Sequence, residues 1–166
     1  MIKLKKTSGF TFIELIIYCG LFSILILVLS EIFLSALEVQ LESAATSTVA
    51  SDGQYITTRL LYDLPRASSI VSPPLGVAGG ELQLLIDGDT YKYSLIENSL
   101  NLTIGGQADQ LNSYQTKVSD LTFKHLGDGS GKDDTIQVDF TLTSDVVRDS
   151  GPETKTFQTT IGQRPN

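Results

Sequence analysis

The chain has 166 residues, 41% of them hydrophobic, with 12 Lys and Arg against 19 Asp and Glu, for a formal net charge of −7. That length allows one domain plus an anchor, and the acidic balance disfavours direct binding of nucleic acid or anionic lipid headgroups through bulk charge. A single histidine and a single cysteine leave too few such side chains for a zinc cluster or a catalytic triad.

Lys3, Lys5 and Lys6 precede the stretch Thr7-Ser8-Gly9-Phe10-Thr11-Phe12-Ile13-Glu14-Leu15, which stays apolar to Leu29. Phe10 to Leu29 makes roughly 30 Å of helix, the hydrocarbon thickness of a bilayer. The basic residues in front of it predict a cytoplasmic N-terminus, with everything after Leu29 outside. Glu14 falls inside the run, where a carboxylate is costly without a partner, and intramembrane acids of this kind mark function. Cys19 also lies in the run and reads as a small apolar helix residue; the rest of the chain has no cysteine, although it is expected in an oxidising compartment. An ordinary secretory signal fits less well, because the apolar run is longer than usual and Leu34-Ser35-Ala36 is a poor cleavage site.

After Leu29 the pattern turns amphipathic without a break, with Ile32, Phe33, Ala36, Leu37, Val39 and Leu41 among Glu31, Glu38, Gln40 and Glu42. Apolar spacing returns at Ile56, Leu60, Leu61 and Leu64. Gly53 reads as a local loosening, and Pro65 as the stop. The spacing predicts one helix over Phe10–Leu64, about 55 residues and roughly 80 Å long. Its first part, 10–29, reads as a transmembrane segment and 30–67 as an amphipathic stalk. Arg59 and Asp63 stand four apart and can pair; they read as solvated charges at a helix end.

The region 68–166 reads as a β-rich head. Ser68–Gly80, with two prolines and three glycines, reads as a loop. Strands are predicted over Leu82–Ile86, Thr90–Ile96, Leu100–Ile104, Val118–Leu126, Thr135–Thr143 and Lys155–Ile161, with Asp87-Gly88 as the strongest hairpin signal. Glu97-Asn98-Ser99 reads as a second turn, and Gly105-Gly106 as the end of a strand. The fold class expected is α+β: a long N-terminal helix, then an antiparallel sheet packed on its second half.

Within the head, Asp128, Asp133 and Asp134 in the loop Asp128-Gly129-Ser130-Gly131-Lys132-Asp133-Asp134 form the one candidate ion site, of a kind that suits Ca²⁺. The loop lacks the twelfth-position glutamate of an EF-hand and carries Lys132, so a solvated hairpin loop with no metal is the better reading. It fits neither a phosphate-binding loop nor a nucleophile elbow. His125 alternates with Phe123 on a strand and reads as structural. The carboxylates are scattered through turns with no acid/base pair placed by sequence. No enzymatic activity and no cofactor are expected.

Gly9-Phe10-Thr11-Phe12-Ile13-Glu14-Leu15-Ile16, behind its basic leader, resembles the class III signal of type IV pilins and pseudopilins. The resemblance implies that residues 1–9 are a leader and that prepilin peptidase cuts between Gly9 and Phe10 and N-methylates Phe10. Without the leader lysines the net charge would be −10. The resemblance also makes Glu14 the assembly residue: the new amine of Phe10 in one subunit would pair with Glu14 of its neighbour, relieving two charges poorly solvated in lipid. The alternative is a pairing within one chain, near the positive end of the helix. Major pilins usually carry a proline where this chain has Glu31, which points to a minor subunit. Arg59-Leu60-Leu61-Tyr62-Asp63-Leu64-Pro65-Arg66-Ala67 is similar to the stalk end of J-type minor pseudopilins and W-type minor pilins, with Pro65 inserted. Many type IV pilins close a C-terminal loop with a disulfide, and this chain departs from them there.

The function implied is a minor subunit of a type IV pilus, a type II secretion pseudopilus or a competence pseudopilus for DNA uptake. Other subunits, prepilin peptidase, the inner-membrane assembly platform and the lipid bilayer would be its partners. It would be a single-pass inner-membrane protein before assembly and part of a surface filament after it. The rival expectation is an adhesin or ligand-binding module displayed at a filament tip. From Pro65 onward the net charge is −5, which argues against DNA as that ligand, and Tyr91, Tyr93 and Tyr114 read as core or rim residues.

Overall fold

The computed structural model of the chain describes residues 9–127 and 134–163. Helix α1 runs over Phe12–Asp63, 52 residues. It begins two residues later than expected because Thr11 caps it: the Glu14 N–H donates to Thr11 Oγ1 at 3.4 Å. Thr11 and Glu14 have the spacing of a capping box. The helix stops where Pro65 requires, and Leu64–Arg66 tightens into a single 3-10 turn.

The chain divides into two compact units, the first ending at Gln40 and the second starting at Leu41. Among the described residues none before Ala45 is buried. The helix contains an 18-residue window of mean hydropathy 2.7, none of it buried, so it is long and apolar enough to cross a membrane.

In the second unit the same helix acquires a buried stripe. Ala45, Val49, Gly53, Ile56 and Leu60 are all buried, and their spacing of three or four residues puts them on one face. Gly53 does not loosen the helix. A Cβ there would collide with the ring of Phe157, so the glycine lets helix and sheet approach closely.

Among the described residues nine strands follow the helix, and they form two antiparallel sheets rather than one. The first has the order β1-β3-β4-β5-β6, with β1 at Ser69–Ser72, β3 at Glu81–Ile86, β4 at Asp89–Ile96, β5 at Ser99–Ile104 and β6 at Gln107–Gln110. The second has the order β2-β7-β8-β9, with β2 at Ala78–Gly79, β7 at Thr116–Leu126, β8 at Thr135–Ser144 and β9 at Thr154–Gly162. All six expected strands are present. Three short ones were not expected: β1 and β2 lie inside the region read as a loop, and β6 follows Gly105-Gly106, which ends β5 as expected and turns the chain back into a further strand.

Three two-residue turns connect β3 through β6, and each has positive φ at both residues: Asp87 and Gly88, Glu97 and Asn98, Gly105 and Gly106. That is the geometry whose twist matches paired strands. β8 buries every second side chain, including Ile136, Val138, Phe140 and Leu142. These meet the helix stripe and Leu82, Leu84, Tyr93 and Leu100 of the first sheet in one core.

Candidate functional site

The N-terminal candidates sit together around the first turn of α1. Gly9 is exposed, and a Cβ built on it would meet nothing within 4 Å; local packing therefore does not demand glycine there. Phe10 is 73% exposed. Its ring leans on that of Tyr18, with centroids 5.6 Å apart and planes tilted by 59°. The Tyr18 hydroxyl also donates to Glu14 Oε1 at 3.3 Å. Tyr18 was not singled out from the sequence, although its place four residues after Glu14 is the available signal. Lys3, Lys5 and Lys6 lie outside the described residues.

A second polar cluster closes the helix from inside the head. Asp63 is fully buried, which corrects the expectation of solvated charges at this helix end. Its Oδ2 takes Arg59 Nε at 2.8 Å and the hydroxyl of Tyr93 from β4, while Oδ1 has no hydrogen-bond partner. Burial pushes the Tyr93 phenol far above the ordinary tyrosine range, and the bond to Asp63 pushes it further. Burial alone would lower the Arg59 guanidinium, but the charge of Asp63, the hydrogen bond to it and the interaction with Tyr93 together outweigh burial and hold it above its usual value. The arrangement fixes the last helical turn to the first sheet.

Asp52 makes a similar tie to the second sheet. Its Oδ2 accepts from the Ser113 N–H at 2.9 Å, from the Ser113 hydroxyl at 2.7 Å and from the Thr116 hydroxyl. Asn112, a buried side chain, braces the same loop through Leu100 N–H and Thr116 carbonyl. Tyr114 projects from this loop, 86% exposed, whereas Tyr93 is core and Tyr91 lies at its margin.

Of the three ion-site candidates, Asp128 and Asp133 lie outside the described residues. Asp134 is buried, with its Oδ2 3.2 Å from His125 Nε2. The other ring nitrogen of His125, Nδ1, is 2.9 Å from the Pro73 carbonyl; since a carbonyl only accepts, Nδ1 carries the proton. His125 thus ties the β7–β8 hairpin to the segment before β2. No group of three or more His, Cys, Asp or Glu placed to hold a metal occurs among the described residues.

The chain matches no protein-family model, no curated protein and no solved structure.

Proposed function

We propose that this chain is a minor type IV pilin or pseudopilin subunit, cleaved between Gly9 and Phe10, N-methylated on Phe10 and assembled through its N-terminal helix. The observation that carries the reading is a membrane-length apolar helix with no buried residue before Ala45 and one carboxylate, Glu14, in its first turn. It follows a Gly9-Phe10 junction at which local packing sets no need for glycine.

In this reading the apolar segment waits in the bilayer and is later buried against neighbouring helices. The amine released at Phe10 of one subunit pairs with Glu14 of another, which removes two poorly solvated charges and sets axial register. The head is carried by the buried stripe of α1 and tied to it by Asp52 and Asp63. The role is assembly, without catalysis or a cofactor. Its partners are other subunits, prepilin peptidase, an assembly platform and the bilayer. A pilus, a secretion pseudopilus and a DNA-uptake pseudopilus all fit.

The test is Glu14→Ala in cells whose filament apparatus accepts the wild-type chain. The variant should insert into the membrane and be cleaved, yet be missing from the sheared filament fraction. Recovery of the variant in filaments at the wild-type level would remove Glu14 from this role.

A further inference from the structure

Inside the apolar run each polar side chain must find a partner on its own helix until the chain meets another. Ser23 solves this locally, and Ser30 does the same just past the run, donating to the carbonyls of Cys19 and Ile26 at 2.8 Å each. Tyr18 and Glu14 solve it with each other, at 3.3 Å. Among the described residues nothing else bonds the Glu14 side chain. One oxygen of the carboxylate, Oε1, is occupied, and Oε2 is left open. The same tyrosine ring rests against Phe10, so a single side chain touches both the acid and the residue that would carry the new amine.

We propose that Tyr18 is a positioning residue for Glu14: its phenol holds Oε1 so that Oε2 faces the amine of a neighbouring subunit. This rests on the assembly role proposed above. It adds that the acid has a donor within its own chain while the subunit waits in lipid. The neighbour's amine then completes the coordination of the carboxylate rather than meeting it bare. The ring contact with Phe10 and the hydroxyl contact with Glu14 are separable, because Tyr18→Phe removes only the second.

The test uses the full chain in vesicles of phosphatidylethanolamine and phosphatidylglycerol, treated with dicyclohexylcarbodiimide, with labelling at each glutamate read by peptide mass spectrometry. A carboxylate covered by the phenol is less available to the reagent. Tyr18→Phe should therefore label several-fold faster at Glu14, with Glu31 unchanged as internal reference. Equal or slower labelling at Glu14 would overturn the proposal. In cells with a filament apparatus that accepts the wild-type chain, the variant should be cleaved normally and assemble several-fold less. Unchanged assembly would overturn the positioning role. Absence of cleavage in wild type and variant alike would instead count against the assembly reading, and the labelling comparison would still stand.

Discussion

The tip of the Phe157 ring on β9 fills the volume that a side chain on Gly53 of α1 would need. The ring is held there by stacking on Phe140, with centroids 5.2 Å apart and planes within 12°, so it has little room to yield. Gly53→Ala gains about 1 kcal/mol in helix propensity, while overpacking costs about 1–3 kcal/mol. The clash should win. Urea unfolding of the detergent-solubilised chain, followed by near-ultraviolet circular dichroism of its tyrosines, should show a net loss. Adding Phe157→Leu should recover part of it, as expected of neighbours that share one volume.

Tyr93 and Asp63 make a pH-dependent contribution whose sign is fixed. The folded chain holds the phenolic proton more tightly than the unfolded chain. The contribution is therefore fully present below the ordinary tyrosine value of about 10 and is lost as pH rises beyond it. Tyr93→Phe should cost about 1.5–3 kcal/mol near neutral pH, the worth of a hydrogen bond to a charged group. It should also flatten the fall in stability above about pH 10. Urea midpoints measured from neutral to alkaline pH read both effects.

Asp52→Ala removes three bonds that end on one oxygen. The expected cost is about 1–3 kcal/mol, because the Thr116 hydroxyl and the Ser113 N–H lose their acceptor. Urea unfolding reads the cost, and hydrogen exchange should quicken at Ser113 to Thr116, where the acceptor is lost.

Removal of the chain before Leu41 should leave the stability of the head nearly untouched. No described residue before Ala45 is buried, and changes outside the core stay within about 0.5 kcal/mol. The shortened chain should be soluble without detergent and unfold at the same urea concentration as the full one.

Much of this fold was legible in the sequence because its strongest signals are local. Pro65 ends the helix by removing an N–H, and Asp87-Gly88 sets a hairpin through backbone preference alone. β6 was not legible: Gln107-Ala108-Asp109-Gln110 is exposed throughout and shows no alternation. β1 is four residues long at a sheet edge, just before Pro73. The burial of Asp63 could not be read either. A carboxylate beside an arginine at a helix end is ordinarily solvated, and only Tyr93, 30 residues on, makes it a core group. Gly53 misled for the same reason, since its cause is a ring far away in sequence. At the N-terminus, Gly9, Phe10 and Glu14 could be named from the sequence, whereas Tyr18 emerged from the helix geometry that places it over both neighbours.

The proposed assembly role is tested most directly at the mature N-terminus. The chain is co-expressed with a prepilin peptidase, as wild type and as Gly9→Val, and its terminal peptide is read by mass spectrometry. A wild-type chain beginning at N-methylated Phe10, with Gly9→Val left intact, is the expected result. An intact wild-type N-terminus beside a peptidase that cleaves a known substrate in the same cells would contradict it.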